Sequence, residues 1–327
     1  MVLGFLKLGK IAEIIPSSVI RGVMVAIGII IISSQIHVAL GTHTDAKNPI
    51  DKLMDVFIQL PNINPVLFLI SGLGIFLLVV IPKIKGRLFQ FFPASLWVLL
   101  LSIPFVYLFD FFTEHQIEFL GKQHTISPDF LINIPDDLSQ AIIFPNFGPI
   151  NTFGFWIVVI SITLIASIQT LAMAKAVDKL DPYKRKTNLD KDLIGMGIGT
   201  MVSAAIGGLP IITVIVRSTV NIHNNAKTKW SNFYHGLLLL VFLVLLAPVI
   251  QQVPLAALAA ILVHIGFKLA APKVFKQTYA TGIEQLIFMV ATIIITLYTD
   301  LLIGILVGTF LTFVVHLLLA RITSVAL

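Results

Sequence analysis

The stretch that decides the fold is GMGIGTMVSAAIGGLPIITVIVRSTVNIHNNAKTKW, residues 195–230. It begins as an apolar helix and breaks at the Gly-Gly-Leu-Pro sequence of residues 207–210. A β-branched run over residues 211–216 follows and leads to Arg217. Irregular backbone survives at membrane depth only where protein or a polar cavity satisfies its hydrogen bonds. Because broken helices of this kind mark binding sites in membrane bundles, the segment 207–222 is the first candidate site.

The composition places the chain in a membrane. Of its 327 residues, 57% are hydrophobic and 12% are charged, and the mean hydropathy is +0.99. A soluble domain of this length would carry more polar surface. The chain is therefore predicted to be an all-α polytopic membrane protein. It has no cysteine, which excludes disulfides, thiolate metal sites and cysteine nucleophiles.

The apolar segments predict ten membrane crossings. A spanning helix needs about 20 apolar residues. We predict spans at residues 18–40, 64–82, 92–109, 153–177, 189–206, 231–250, 254–271, 283–299 and 300–320. The broken element 207–222 counts as one further crossing, so both termini lie on the same side.

The basic residues predict the orientation of these spans. Loops on one side carry sixteen Lys and Arg residues, whereas the other side carries Lys47, Lys52 and Lys122. By the positive-inside rule the basic side, with both termini, is cytoplasmic. Because the net charge of +6 follows this topology, we expect no nucleic-acid partner. The charged loop 178–190 fits contact with anionic lipid head groups, and it fits simple fixing of the topology equally well.

Arg217 is the strongest candidate for binding a ligand. A charge near the bilayer centre is costly and usually faces a cavity or a partner. At the start of a half-helix, Arg217 would join free N–H groups and a positive dipole end to form an anion site. The alternative is an arginine that snorkels to the interface. Ser218 follows, and its hydroxyl either binds the ligand or caps the half-helix.

The span 153–177 supplies a second set of candidates. Ser167 and Thr170 are three residues apart and share one helix face. Gln169 lies beside them, and it either contacts a ligand or forms an interhelical hydrogen bond. The sequence shows no hydrolytic triad, no paired catalytic carboxylates and no histidine pair at metal-ligand spacing. We therefore expect neither an enzyme nor a cofactor.

Several motifs, in order along nearly the whole chain, resemble the SulP (sulfate permease) family of anion transporters. They are IPSSVIRG (15–22), QIHVALG (35–41), AKAVDKLDP (174–182), GGLP (207–210), VRS (216–218) and PLAALAAIL (254–262). The likeness is nearest to bacterial members that are inorganic anion or bicarbonate transporters. It implies a bacterial inner (plasma) membrane protein.

The resemblance also implies the family's fold. This is a uracil-permease-like inverted repeat of seven plus seven segments, with a core and a gate domain, alternating access and a homodimer. The chain would match it from the fourth-to-fifth segment junction, without the first four segments and the cytoplasmic STAS domain. Residues 1–152 would then hold the first part of the gate domain and the long external loop. Residues 153–250 would form half of the core, and residues 251–327 the rest of the gate.

The resemblance places Arg217 at the family's substrate site. The full set of predicted substrate contacts is Arg217, Ser218, Val216, Gln169, Thr170 and Ser167. Four positions depart from the pattern. Relatives usually carry a carboxylate at Gln169, often a threonine at Met173 and in some cases an acidic residue at Val214. Many have serine where this chain has Val216. Without these carboxylates nothing here would hold Na⁺ or carry a proton, which argues against cation coupling.

The sequence thus predicts a secondary transporter of a small inorganic anion, of the bicarbonate or sulfate class. One alternative is a nucleobase permease of the same fold, which an arginine at the half-helix suits less well. The other is a non-transporting or split fragment that requires a partner chain.

Overall fold

In the computed structural model, twelve α-helices and one two-stranded sheet are formed by the residues that the structure describes. These are residues 1–9, 16–86, 89, 92–119, 121–134, 142–214, 217–218, 221–222 and 226–325, apart from the side chains of 172, 176, 179–180 and 318–325. The helices are α1 (Val2–Phe5), α2 (Ser17–Leu40), α3 (Pro49–Gln59), α4 (Pro65–Val80), α5 (Ala94–Leu108), α6 (Phe153–Leu180), α7 (Leu189–Ala205), α8 (Trp230–Ile250), α9 (Leu255–Leu269), α10 (Pro272–Tyr279), α11 (Ile283–Tyr298) and α12 (Leu301–Val325). The strands are β1 (His115–Phe119) and β2 (Lys122–Ile126).

The helix bounds confirm the predicted spans. Outside the broken element, each predicted span corresponds to one helix that begins within two residues of the predicted start. Five stretches in the described part are long and apolar enough to cross a membrane: Ser17–Leu40, Pro65–Lys83, Phe153–Lys175, Trp230–Ile250 and Leu255–Tyr279. Helices α5, α11 and α12 contribute three shorter apolar stretches.

The chain folds into two compact units. Residues 1–22, 135–240 and 287–327 form one, here called the broken-helix unit. Residues 23–134 and 241–286 form the other, here called the hairpin unit. The division into gate and core domains at residues 152 and 250 stays a prediction.

The core of the hairpin unit lies where α4, α5 and α9 pack together. Its fully buried side chains include Leu67, Val98, Val106, Ala256 and Ala257. A Cβ atom added to Gly74 of α4 would lie 3.0 Å from the Ala260 Cβ and 3.1 Å from the Val98 Cγ1. Small residues at these positions therefore allow the three helices to approach closely.

Helices α2 and α9 of the hairpin unit approach each other closely. A Cβ atom on Gly28 would lie 2.6 Å from the Gly266 carbonyl oxygen, and one on Gly266 would lie 2.7 Å from the Gly28 carbonyl oxygen. Neither position has room for a side chain, because the obstructing atoms belong to backbone. The crossing of α2 and α9 thus depends on glycine at both residues.

Part of the long loop expected over residues 110–152 is an antiparallel hairpin. Strands β1 and β2 pair from His115 opposite Ile126 to Phe119 opposite Lys122. Gly121 takes a φ of +74° in the turn between them. The buried Asn64 fixes the hairpin to α4, because its amide group donates to the Thr125 carbonyl (3.1 Å) while its side-chain oxygen accepts from the Val66 N–H (3.1 Å).

The broken-helix unit contains the N-terminal residues and α7 in direct contact. The Gly9 N–H donates to the Asp190 carboxylate at 2.9 Å. A Cβ atom on Gly4 would lie 2.6 Å from the Asp190 carbonyl oxygen. These contacts place the N-terminal residues, including α1, against the first turns of α7.

In the same unit, Gly22 of α2 approaches Thr292 of α11, since a Cβ atom on Gly22 would lie 2.9 Å from the Thr292 Cβ.

The α2–α9 crossing predicts opposite outcomes for two identical substitutions. Gly28→Ala should lower the melting temperature, because overpacking of this kind costs about 1–3 kcal/mol. Gly72→Ala on α4 is the matched control, since a Cβ atom there would meet nothing within 4 Å. The control should leave the melting temperature unchanged or raise it, as alanine favours helix over glycine by about 1 kcal/mol. Scanning fluorimetry in detergent measures both, and equal melting temperatures for the two variants would contradict the described crossing.

Candidate functional site

The break after α7 is a regular helix C-cap. Gly207 takes a φ of +82°, and its N–H donates to the Ala204 carbonyl at 3.1 Å. The Gly208 N–H donates to the Ser203 carbonyl at 2.8 Å. These two bonds form a Schellman motif, which needs a residue without a Cβ at the left-handed position. The helix ends here because Gly207 permits that conformation and Pro210 cannot continue the helix.

Beyond the cap, the chain runs back along α7 in an extended form. The Ser203 hydroxyl donates to the Leu209 carbonyl at 2.9 Å. The Ile211 N–H donates to the Thr200 hydroxyl oxygen at 3.1 Å. Thr200 and Ser203 are three residues apart on one face of α7, so the extended backbone descends along that face. Two hydroxyls of α7 thereby satisfy backbone groups that have no helical partner.

The extended segment next contacts α6 at Thr170. The Thr213 N–H donates to the Thr170 hydroxyl oxygen at 3.3 Å. Only 1% of the Thr170 surface is exposed. The structure therefore assigns Thr170 a backbone-holding contact beside the broken element, within reach of the segment that leads to Arg217.

A helical turn begins directly after this contact. The Ser218 N–H donates to the Val214 carbonyl at 3.3 Å, and the Ser218 hydroxyl donates to the same oxygen at 3.1 Å. Arg217 therefore lies in the first turn, with its side chain exposed. Val216, a further sequence candidate, lies outside the described residues. A cationic side chain and a helix start at one place favour an anion.

The loop before α7 and the segment before α8 meet at the same face of the broken-helix unit. Arg185, in the loop before α7, donates from its guanidinium to the Lys227 carbonyl at 3.2 Å, shortly before α8 begins. Helix α7 has 17 residues and is therefore about 25 Å long. Since the chain leaves this face through α7 and is at the same face again at Lys227, it returns between these two points. That this return crosses the membrane stays a prediction of the charge parity.

The same arginine holds its own loop together. Its guanidinium donates to both carboxylate oxygens of Asp181, at 2.8 and 2.9 Å. These hydrogen bonds hold the pKa of the Asp181 carboxyl well below its usual range. The Asp181 carboxylate therefore stays charged, and its pair with Arg185 persists at any physiological pH.

The other predicted site residues lie on the same two elements. Ser167 and Gln169 are partly buried on α6, close in sequence to Thr170. Met173 is buried one turn further on, with 7% of its surface exposed, and Val214 ends the extended segment. Whether Ser167, Gln169 and Ser218 contact a substrate, and whether Gln169, Met173 and Val214 bear on cation coupling, stay predictions.

Three residues that hold the site together were not among the sequence candidates: Thr200, Ser203 and Thr213. A signal for two of them was present. Thr200 and Ser203 are hydroxyl residues at helical spacing in the apolar segment just before the break, where unpaired backbone groups need partners. The contact of the Thr213 N–H with Thr170 has no such signal, because it joins residues 43 positions apart.

The site has the chemistry to hold a negative ion. The polar contacts of the described segment after the break join hydroxyls to backbone groups, and Arg217 follows this segment in sequence. Within the described ranges, no group of three or more His, Asp or Glu side chains could hold a metal ion. A helix that breaks, crosses back beside a second helix and restarts at an arginine is the arrangement of a polytopic membrane transporter fold.

Comparison with known proteins assigns the family. The Sulfate permease family profile matches residues 1–293, so the chain belongs to that family. This confirms the resemblance drawn from the motifs. The chain is 28% identical to the Bacillus subtilis protein YvdB over 313 residues, which cover 95% of this chain and 56% of YvdB. It is 26% identical to the bicarbonate transporter BicA of Synechocystis over 308 residues, which cover 94% of this chain and 51% of BicA.

A solved structure confirms the fold class. The transmembrane domain of a cyanobacterial bicarbonate transporter, BicA, superposes with a TM-score of 0.72 at 23% sequence identity. The match covers 93% of this chain and 73% of that domain. The chain is thus an integral membrane protein with the family's inverted-repeat transporter fold over the part that the match covers. It spans about half the length of the curated relatives it matches.

The Thr170 contact predicts a local effect of one hydroxyl. Thr170→Val keeps the side-chain shape but leaves the Thr213 N–H without its acceptor, at a cost of about 1–3 kcal/mol. Amide exchange over residues 209–214 should become about 5- to 150-fold faster, as measured by hydrogen–deuterium exchange mass spectrometry. Thr163→Val, at an exposed position of the same helix, should leave that exchange unchanged. Equal exchange in the two variants would contradict the described contact.

Proposed function

We propose that this chain is a secondary transporter of a small inorganic anion, of the sulfate or bicarbonate class, that works by alternating access. The observation that carries the proposal is the placement of Arg217 in a helical turn. This turn follows an extended segment whose backbone N–H groups donate to the hydroxyls of Thr200 and Thr170. Membership of the Sulfate permease family supports the substrate class. No enzymatic step and no cofactor is part of this function.

The electrostatics of the site favour an anion over a neutral base. Arg217 is permanently charged, and the start of a helix adds positive potential. A nucleobase permease of the same fold would have no use for this charge. We therefore place the nucleobase alternative second, and the alternative of a fragment that needs a partner chain becomes an outcome of the transport assay.

The proposal includes location and assembly. The protein lies in a bacterial plasma membrane, with the loop before α7, the segment before α8 and both termini on the cytoplasmic side. The shared face of Arg185 and Lys227 supports this orientation, because it brings two basic loops to one side. We also expect a homodimer, as the family resemblance implies.

Transport is proposed to be uncoupled from Na⁺. Gln169 is neutral, as are Met173 and Val214, so these positions offer no carboxylate to bind a cation. The anion would move down its own gradient or exchange for another anion.

The proposed anion site makes a prediction about Arg217. Arg217→Gln should weaken sulfate or bicarbonate binding about 10- to 100-fold, the range expected on loss of a charged hydrogen bond worth about 1.5–3 kcal/mol. Isothermal titration of the detergent-solubilised protein measures it. Lys83→Gln removes an equal charge at an exposed loop position of the hairpin unit and should bind like the unchanged protein. An unaltered affinity in Arg217→Gln would remove the proposed anion site.

The second prediction concerns coupling. Proteoliposomes containing the protein should take up radiolabelled sulfate or bicarbonate at the same rate with and without an inward sodium gradient. Uptake that requires sodium would refute the uncoupled mechanism. Anion binding without any uptake would favour the alternative of a chain that needs a partner.

A further inference from the structure

The loop between α6 and α7 is folded so that its acidic side chains bond within the loop. The Asp178 carboxylate accepts hydrogen bonds from the Thr187 N–H (2.9 Å) and the Thr187 hydroxyl (2.6 Å). The Asp181 carboxylate accepts the paired bonds from Arg185. The Asp181 charge is thus paired with the Arg185 guanidinium, and the Asp178 carboxylate is held in place by Thr187.

Four lysines surround Arg185 as a result. Lys184 and Lys186 flank it in sequence, Lys227 meets it through the 3.2 Å bond to its carbonyl, and Lys229 follows two residues later. All four are exposed. Among the ion pairs of the described residues, none involves these four ammonium groups. They form one positive surface that belongs entirely to the broken-helix unit.

An aromatic cluster borders the lysines at the start of α8. The Trp230 ring centroid lies 5.5 Å from that of Phe233 and 6.2 Å from that of Tyr234. All three side chains are 57% exposed. Helix α8 continues from them as an apolar span in which no residue is buried. Exposed Trp and Tyr at the end of an apolar span are typical of the level of the lipid head groups.

We propose that Lys184, Lys186, Lys227 and Lys229, together with the Trp230 aromatic cluster, bind the head groups of anionic phospholipids. The acyl chains lie along the uncovered surface of α8, and the phosphates meet the lysines at its end. Basic clusters next to a membrane span attract acidic lipids. An acidic protein would engage the lysines equally well. It would have no partner for an apolar helix surface that continues directly from the same patch, so the lipid is favoured.

The test uses Trp230 as a reporter of the lipid beside it. The chain has three tryptophans, so Trp97→Phe and Trp156→Phe leave Trp230 alone. This protein is reconstituted into phosphatidylcholine vesicles containing a fixed fraction of brominated phosphatidylglycerol or of brominated phosphatidylcholine. The brominated phosphatidylglycerol should quench Trp230 more strongly, with a local enrichment of at least about fivefold, the factor that one lysine near an acidic surface supplies. The enrichment should fall as salt is raised.

A charge-matched comparison decides whether the named lysines cause the enrichment. Replacing Lys184, Lys186, Lys227 and Lys229 by Gln should abolish it. Replacing Lys83, Lys85, Lys273 and Lys276 by Gln, which removes four exposed charges from the hairpin unit, should leave it intact. Equal quenching by the two brominated lipids, or an enrichment that survives the first set of substitutions, would overturn the proposal. Native mass spectrometry of the protein with all three tryptophans provides a second measurement, in which the first set of substitutions should lower the number of phosphatidylglycerol molecules retained.

Discussion

The structure depends on how a stretch of non-helical backbone is satisfied inside a membrane protein. An unpaired amide or carbonyl in an apolar environment costs several kcal/mol. The extended segment after α7 has three such groups paired with hydroxyls: the Leu209 carbonyl, and the N–H groups of Ile211 and Thr213. Two of the hydroxyls come from α7 and one from α6. These bonds link the positions of α6, α7 and the returning chain. They also fix where the next helical turn, which contains Arg217, starts.

This arrangement separates two tasks that are often performed by the same side chains. Hydroxyls hold the backbone, and the charge at the site comes from Arg217 alone among the side chains described there. Because Gln169 and Val214 contribute no carboxylate, the positive potential of the arginine and the helix start is not offset locally. A site built in this way suits an anion without a coupling cation. The alternative role for Arg217, snorkelling to the interface, would leave the hydroxyl contacts as purely structural bonds.

Much of the fold could be predicted because its causes are local. Span lengths follow from runs of apolar residues, and the break follows from glycine and proline at residues 207–210. The crossing of the broken element 207–222 was predicted from the numbers of Lys and Arg residues in alternate loops. The hairpin β1–β2 was missed since it lies in a polar loop between two spans. Its attachment to α4 joins Asn64 to Thr125, 61 residues away. The bond from Arg185 to the Lys227 carbonyl and the contact of Thr170 with Thr213 join distant segments in the same way, and no periodicity in the sequence indicates them.

The central claim is that the broken segment recrosses the membrane, and the absence of native cysteines makes it directly measurable. Single cysteines at Ala205, at the end of α7, and at Thr228, just before α8, can be labelled from either side of sealed vesicles with a membrane-impermeant maleimide. The account predicts that the two positions react from opposite sides, with Thr187→Cys reacting from the same side as Thr228→Cys. Labelling of Ala205→Cys and Thr228→Cys from one common side would contradict it.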